Sequence, residues 1–443
     1  MGTKYDAITR KAQEEFGPNA VVPGSDARMS PCARIPTGIF YVDLVAGGGV
    51  PVGMVTEIYG KASAGKSSLA AKVVVSAQGL CRACYGPTIT EAREVEVPTV
   101  ERHPDGTITR SMKTVTKQIP VDCVNKCRPG QEAGKEKEKE KTKGKAKGEK
   151  KAGRKREGAW SGRVKTCWVD AEGSFDRAFY EQFGMDCDDV SIVKAETGEQ
   201  AIDFVDAAIR TGEIDLVVID SLAALTPKKE REISAGDIQV ALQARLFNRA
   251  MRLWNASLTE LQAKGFAAVC TILLINQVRA KISFMPIDTK PGGQGQDFAS
   301  SLDIKLRQMN FKFDTSGRPL WQTSSFQVEK NRVGEPKRQG EFRLCVTPHP
   351  GRNPGDTWDD EVVADAAQAQ GFVTTNDDGS LTVLERAFPD EQAFRAEMHQ
   401  RAGLYRELRV RVLDRMSRPS DGQVSESKKT RGSVGESEGG SDA

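Results

Sequence analysis

Gly60-Lys-Ala-Ser-Ala-Gly65-Lys66-Ser67 has the glycine, lysine and hydroxyl spacing of a loop that wraps phosphate oxygens. The glycines let the chain curl so that successive backbone N–H groups and a helix N-terminus surround the phosphate. Gly60, Lys61, Ala62, Ser63, Ala64 and Gly65 would form the cradle, with Ser68 opening the helix beyond it. Lys66 would reach the β- and γ-phosphates, and the Ser67 hydroxyl would ligate Mg²⁺. A plain glycine turn is the ordinary alternative. The strand-like run Val55–Tyr59 before the loop and the helical run Lys66–Gln78 after it favour phosphate chemistry.

Such a loop needs an acid on the metal side and a group that handles the attacking water. Leu216-Val-Val-Ile219-Asp220 is an apolar strand ending in a carboxylate, which can hold Mg²⁺ with Ser67. A second strand-like run, Lys165–Val169, ends in Asp170 and Glu172, one of which could polarise water. Either acid alone would read as a turn or helix cap. A different chemistry lies between these runs: Cys81-x-x-Cys84 and Cys123-x-x-x-Cys127 are two close thiol pairs, the pattern of a four-cysteine Zn²⁺ site. Reduced structural or redox-sensing thiols are the alternative.

The elements that must position these groups alternate strand and helix. Strand signals at 165–169, 190–193, 215–219 and 271–275 are separated by helical patterns at 197–211 and 237–263. That alternation predicts an α/β fold with a mostly parallel sheet covered on both faces. Strands at 302–307, 325–329 and 341–346 lack intervening helices and read as an antiparallel or mixed continuation of that sheet. A short helix is expected over 4–16, a linker from Pro18 to Pro36, and a small α-rich unit over about 355–416.

The chain has 443 residues, 38% hydrophobic and 28% charged, with a net charge of +3. Residues 132–157 hold twelve Lys/Arg against six Asp/Glu, a net of +6, so the remainder is about −3. The basic balance therefore comes from one tract, in which 150–156 is the most cationic part and could attract nucleic acid; a solvating linker is the alternative. No run approaches the roughly 18 apolar residues of a membrane span, and the first residues lack a signal-peptide core. Nine cysteines, mostly scattered singly, argue for a reducing interior. A cytoplasmic protein is expected, and membrane, secreted and fibrous classes are excluded.

Seven segments in order carry a family resemblance: Glu57-Ile-Tyr-Gly60 with the phosphate loop, Val169-Asp-Ala-Glu172, Thr197-Gly-Glu-Gln-Ala201, Val218–Pro227, Ile275-Asn-Gln-Val-Arg-Ala-Lys-Ile282, Pro291-Gly-Gly293 and Lys330-Asn-Arg332. Together they resemble the bacterial and phage RecA recombinases. The resemblance implies a RecA-like P-loop NTPase core over 34–79 and 164–346, preceded by an N-terminal helix and linker over 1–33. Into that core is set a four-cysteine zinc-ribbon-like module (80–131) with a Lys/Glu-rich linker (132–163). A small α+β C-terminal domain follows over 347–416, then a disordered tail over 417–443.

The resemblance also implies roles. Glu172 resembles the base that orients the attacking water, and Asp176 and Phe179 sit where the family contacts and stacks on adenine, with Phe179 replacing the usual Tyr. Gln277 resembles the γ-phosphate sensor, and Lys330 and Arg332 resemble a basic pair that reaches a neighbouring protomer's ATP. Two segments resemble DNA-binding loops, about 230–240 and 279–293. The second offers Arg279, Lys281 and Lys290 for phosphates, Ile282, Phe284 and Met285 as apolar tips, and Gly292 and Gly293. Arg245 and Arg252 match family arginines near the DNA axis. The implied function is an ATP- and Mg²⁺-dependent recombinase that forms a helical filament on single-stranded DNA and exchanges strands with duplex DNA.

Two other readings stand beside it. A RadA-like branch-migration ATPase shares the Lys330-Asn-Arg-Val-Gly334 run, and a non-catalytic mediator would keep the DNA surface while lacking turnover. The zinc module lies outside the family core, so the resemblance gives it no role. Its points of exit and re-entry, after the helix that ends at Gln78 and before the strand that begins at Lys165, predict attachment at the sheet edge away from the phosphate loop.

Overall fold

The computed structural model describes residues 4–16, 20–21, 33–83, 85, 88–102, 108–123, 162–232, 242–264, 269–281, 287–289, 299–400 and 403–417. Helix α1 (Lys4–Phe16) is followed by strand β1 (Arg34–Ile35), helix α2 (Phe40–Ala46) and strand β2 (Val50–Pro51). The phosphate-loop segment runs from β3 (Val55–Gly60) into α3 (Lys66–Gln78). Strands β4 (Thr88–Arg102) and β5 (Ile108–Cys123) form a long hairpin, after which the chain continues through β6 (Thr166–Asp170) and α4 (Arg177–Gln182). Next come β7 (Val190–Val193), α5 (Gly198–Thr211), β8 (Leu216–Asp220), α6 (Lys228–Glu232), α7 (Leu242–Ala263) and β9 (Thr271–Gln277). Short strands β10 (Arg279–Lys281) and β11 (Ile287–Thr289) precede β12 (Leu302–Phe313), β13 (Pro319–Asn331) and β14 (Gln339–Cys345).

The central sheet has eight strands in the order β14-β13-β12-β3-β9-β8-β6-β7. From β7 to β12 all neighbours are parallel, and β13 and β14 continue antiparallel, as the helix-free spacing predicted. Every residue of β8 is buried because helices cover both faces. Leu216 and Val218 pack on the α3 side, whereas Val217 and Ile219 pack against α5 and α7. Helix α7 turns Phe247, Ala250, Met251 and Trp254 inward at helical spacing, and the Trp254 indole donates to the Ile202 carbonyl at 3.3 Å.

The C-terminal unit carries helices over 359–369, 391–399 and 403–417 and a three-stranded sheet over 373–388. It packs on the outer face of α2, where Phe40 and Leu44 join Val363, Phe394, Leu404 and Leu408. A polar cluster fixes the junction. Buried Asp43 accepts from the Thr37 amide and hydroxyl at 2.6 Å and from Arg409 at 3.2 Å. Asp359 accepts from the Phe40 amide at 2.8 Å.

The inserted segment leaves and re-enters at the amino-terminal edge of the sheet, as expected. Cys81 and Arg163 form an antiparallel bridge, flanked by Val164 N–H to Leu80 O at 2.9 Å and Arg82 N–H to Gly162 O at 3.1 Å. Two arginines hold this root to the strand starts. Arg82 contacts Asp215, just before β8, at 3.1 Å, and Arg163 contacts Asp189, just before β7, at 2.7 Å. Within the segment, β4 and β5 form one ladder that pairs Thr88 with Cys123 and Arg102 with Ile108.

Three sequence expectations need adjustment. Helix α2 lies just after the stretch read as a linker, and its seven residues are too few for a periodic signal. Strands β12 and β13 extend well beyond 302–307 and 325–329, because 307–313 is largely exposed and 319–325 buries the polar residues Gln322 and Ser324, so neither gives an apolar strand run. The 279–293 segment, read as a loop, carries the β10–β11 pairing Arg279↔Thr289 and Lys281↔Ile287.

Candidate active site

The phosphate loop bends between the end of β3 and the start of α3. A side chain at Gly60 would run into the Leu306 carbonyl of the adjacent strand, and Gly65 holds φ +91° as the N-cap of α3, so both glycines are required by backbone geometry. The loop is braced from β13, where Gln322 Nε2 donates to Ser63 O at 2.9 Å and Ser324 Oγ to Ala64 O at 3.2 Å. Nothing in the sequence pattern singled out these two supports, since they lie 259 and 260 residues away from their partners. Lys66 is buried, and its ammonium donates to Lys61 O at 2.8 Å. Burial lowers its pKa, while Asp220 and Glu172 oppose that shift.

Asp220 ends β8 directly across from α3. Burial pushes its carboxyl up to about 6, a hydrogen bond from Ser67 pulls it down, and the Glu172 charge adds to the rise. Ser67 and Asp220 are thus brought together, the pair needed to hold Mg²⁺. Asp170 and Glu172, equivalent in sequence, are separated by their surroundings. Asp170 is 5% exposed and accepts from the amides of Ser174 (3.0 Å) and Phe175 (3.2 Å), so it shapes its own turn. Glu172 is exposed beside the cleft, next to Gly173 at φ +67°. Its Oε1 accepts from Ser221 Oγ at 2.5 Å and from Gln277 Nε2 at 2.9 Å.

Gln277 ends β9 and is followed by Val278, whose amide donates to Gly60 O at 3.2 Å. The strand leading to the β10–β11 pair is therefore hydrogen-bonded to the root of the phosphate loop. Asp176 caps α4 by accepting from the amides of Ala178 (2.9 Å) and Phe179 (3.3 Å). Phe179 is 39% exposed, with ring centroids 4.7 Å from Phe183 and 5.3 Å from Tyr180, so it presents an aromatic face.

Lys330 and Arg332 do not join this group. Lys330 pairs with Asp303, whereas the phosphate-loop end of β3 pairs with Leu306. That is three rungs back, on the order of 10 Å along the strand, toward the edge where β3 begins.

The RecA N-terminal domain matches residues 4–86 and 158–348, which is more than half of the chain. The chain belongs to the RecA family. Its similarity to RecA proteins of Nautilia profundicola and Sulfurimonas denitrificans is 28% identity over 339 and 343 residues. The alignments cover 76% of this chain and 71% and 73% of those relatives. Against RecA of Streptomyces coelicolor the identity is 28% over 342 residues, covering 67% of that protein. The RecA match breaks between 86 and 158, so the hairpin and the Lys-rich tract lie outside it, and the chain is a RecA-type recombinase with an added segment.

The remaining expected residues of this chain divide into described and undescribed. Arg245 and Arg252 lie exposed on α7, and Arg249 is exposed on the same stripe at i+4 and i+7 spacing, a third cation that helical periodicity could have supplied. Lys305 and Arg307, also unforeseen, border a cavity of about 390 Å³ with Gly60, Lys61, Ala62 and Val278. Arg279 and Lys281 lie on β10, whereas Ile282, Phe284, Met285, Lys290, Gly292 and Gly293 fall outside the described residues, as does most of the 230–240 loop. Cys81 is buried in the core beside Leu80 and Tyr85, and Cys123 ends β5. Cys84 and Cys127 lie outside the described residues, and no group of three or more His, Cys, Asp or Glu side chains is gathered for a metal among the described ones. Among the described residues no helix is long and apolar enough to cross a membrane.

Proposed function

We propose that this RecA-family protein is a DNA-dependent ATPase that assembles as a helical filament on single-stranded DNA and exchanges strands with homologous duplex. The observation that carries the reading is the convergence of Lys66, Ser67, Asp220, Glu172 and Gln277 around one phosphate loop, with Gln277 leading directly into the basic β10–β11 segment.

Lys66 and the loop amides bind the β- and γ-phosphates, and Phe179 and Asp176 flank the base. Ser67 and Asp220 would hold Mg²⁺, which would supply charge neutralisation for the transferring phosphoryl group. Glu172 orients a water and takes its proton as the water oxygen bonds to the γ-phosphorus. The bond from that phosphorus to the bridging oxygen breaks, leaving ADP and phosphate. Lys330 and Arg332, remote from their own phosphate loop, act on the nucleotide of the adjacent protomer, so each site is shared across a filament contact. Gln277 links the γ-phosphate to DNA affinity through the segment that follows it. Arg245, Arg249, Arg252, Arg279, Lys281 and Lys290 supply phosphate contacts, and Ile282, Phe284 and Met285 act on the base stack.

The cysteine-rich insertion is proposed to hold one structural Zn²⁺ through Cys81, Cys84, Cys123 and Cys127. Supporting this, β5 ends at Cys123 opposite Thr88, so Cys123 lies at the end of the hairpin that the chain enters from Cys81. A two-stranded hairpin is marginal in water without additional support, and a metal at its base would supply it.

A strand-exchange assay with ATP and Mg²⁺, using homologous and heterologous duplex, tests the function. Exchange limited to homologous duplex and dependent on ATP is expected. ATP turnover without exchange would overturn the recombinase reading.

A further inference from the structure

Glu172 and its hydrogen-bonding partners come from three different strand ends, those of β6, β8 and β9. Asp170 and Asp220 are paired across β6 and β8, and the Ala171 amide donates to Asp220 O at 2.8 Å, so the turn carrying Glu172 is tied to the end of β8. Ser221, the next residue, is fully buried, and its hydroxyl reaches Glu172 Oε1 at 2.5 Å. That is the length of a strong charge-assisted O–H···O⁻ bond. Gln277 donates to the same oxygen at 2.9 Å, and no hydrogen bond to Oε2 is made among the described residues.

We propose that Ser221 is a positioning residue for hydrolysis: its buried hydroxyl fixes Oε1 of Glu172 and leaves Oε2 as the oxygen that receives the proton from water. The inference rests on the reading of Glu172 as the base. Glu172 sits exposed on a glycine turn, where an unpinned carboxylate samples several rotamers. On the proposed sensor role of Gln277, that donor turns from Glu172 toward the γ-phosphate, and Ser221 is the one that stays. The serine also sits on a strand end with its backbone fixed, whereas Gln277 leads into the β10–β11 segment. Losing the hydroxyl leaves no buried partner unsatisfied, because Glu172 is open to water, so the fold should tolerate Ser221→Ala.

The test is a double-mutant cycle in the full-length protein, with ATP turnover measured on single-stranded DNA. Ser221→Ala should lower kcat by roughly 10- to 100-fold with KM for ATP unchanged. Ser221→Thr, which keeps the hydroxyl, should recover most of the loss. In the Glu172→Gln background, Ser221→Ala should cost nothing further, because a residue acting through the carboxylate has nothing left to position. An equal loss in both backgrounds, or a raised KM with kcat intact, would overturn the proposal. If Glu172→Gln alone turns over normally, the base assignment itself fails, a result distinct from an additive cycle.

Discussion

The two edges of the central sheet use charge in opposite ways. At the carboxyl edge, Lys66, Asp220 and Glu172 sit within reach of one another without being closed into fixed pairs: Lys66 donates to a backbone carbonyl, and Glu172 is held by neutral donors. At the amino edge, Arg82 and Arg163 each close on an acid at a strand start, and Asp215 has its remaining oxygen filled by the Lys165 amide at 2.8 Å. Groups with spare valence can exchange partners during a reaction, whereas saturated ones can only hold. A segment of this size can enter a phosphate-loop core because both of its attachments fall on the holding edge.

The largest expected effect is on the open edge. Lys66→Ala should abolish ATP binding or hydrolysis, measured by nucleotide affinity and phosphate release, because the phosphates lose their main cation. Substantial turnover in this variant would mean that the carboxyl edge is not the reactive one.

Lys330→Ala should reduce turnover by a factor on the order of 10² or more if its charge stabilises the transferring phosphoryl group. Mixing Lys330→Ala with Lys66→Ala subunits should restore part of the activity, since mixed contacts recreate one intact shared site. No recovery at any mixing ratio would place Lys330 outside catalysis.

On the saturated edge the outcome should be stability rather than rate. Arg82→Ala leaves Asp215 buried without its cation and should cost about 3 kcal/mol of unfolding free energy. The kcat of the folded fraction should not change. A large fall in kcat with unchanged stability would erase the distinction between the two edges.

The smallest effect concerns the junction with the C-terminal unit. Burial pushes the Asp43 carboxyl up to about 7 from its ordinary 3.8, against Arg409 and the Thr37 hydrogen bonds. Between about pH 4 and pH 7 the unfolded chain releases a proton that the folded chain retains, so this group's contribution to stability falls as pH rises through that window. Asp43→Asn should flatten that slope in denaturant unfolding followed from pH 4 to 8. A slope unchanged by the substitution would show that another group titrates there.

Much of the carboxyl edge was legible because its residues fall in short contiguous runs. The phosphate loop, Asp220 and Glu172 each follow an apolar strand, and helix α3 lies over Lys66–Gln78 as its pattern predicts. What stayed hidden depends on distant pairing. Gln322 and Ser324 brace the phosphate loop from β13, and Ser221 finds Glu172 only because β6 and β8 are neighbours. The residues alone also left one point open: Asp170 and Glu172 look interchangeable in sequence, yet backbone amides occupy both oxygens of Asp170. The mounting of the insertion was predictable from the direction of α3, but the arginines that secure it were not, because single charges near strand starts carry no pattern.

The most direct test removes the insertion. Replacing residues 86–157 with a short Gly/Ser bridge keeps Cys81, Arg82 and Arg163, and with them the root of the segment. ATP turnover on single-stranded DNA should then match the full-length protein, because nothing on the carboxyl edge is altered. A folded deletion variant that cannot bind or hydrolyse ATP would contradict the account, showing that the insertion is part of the reactive site.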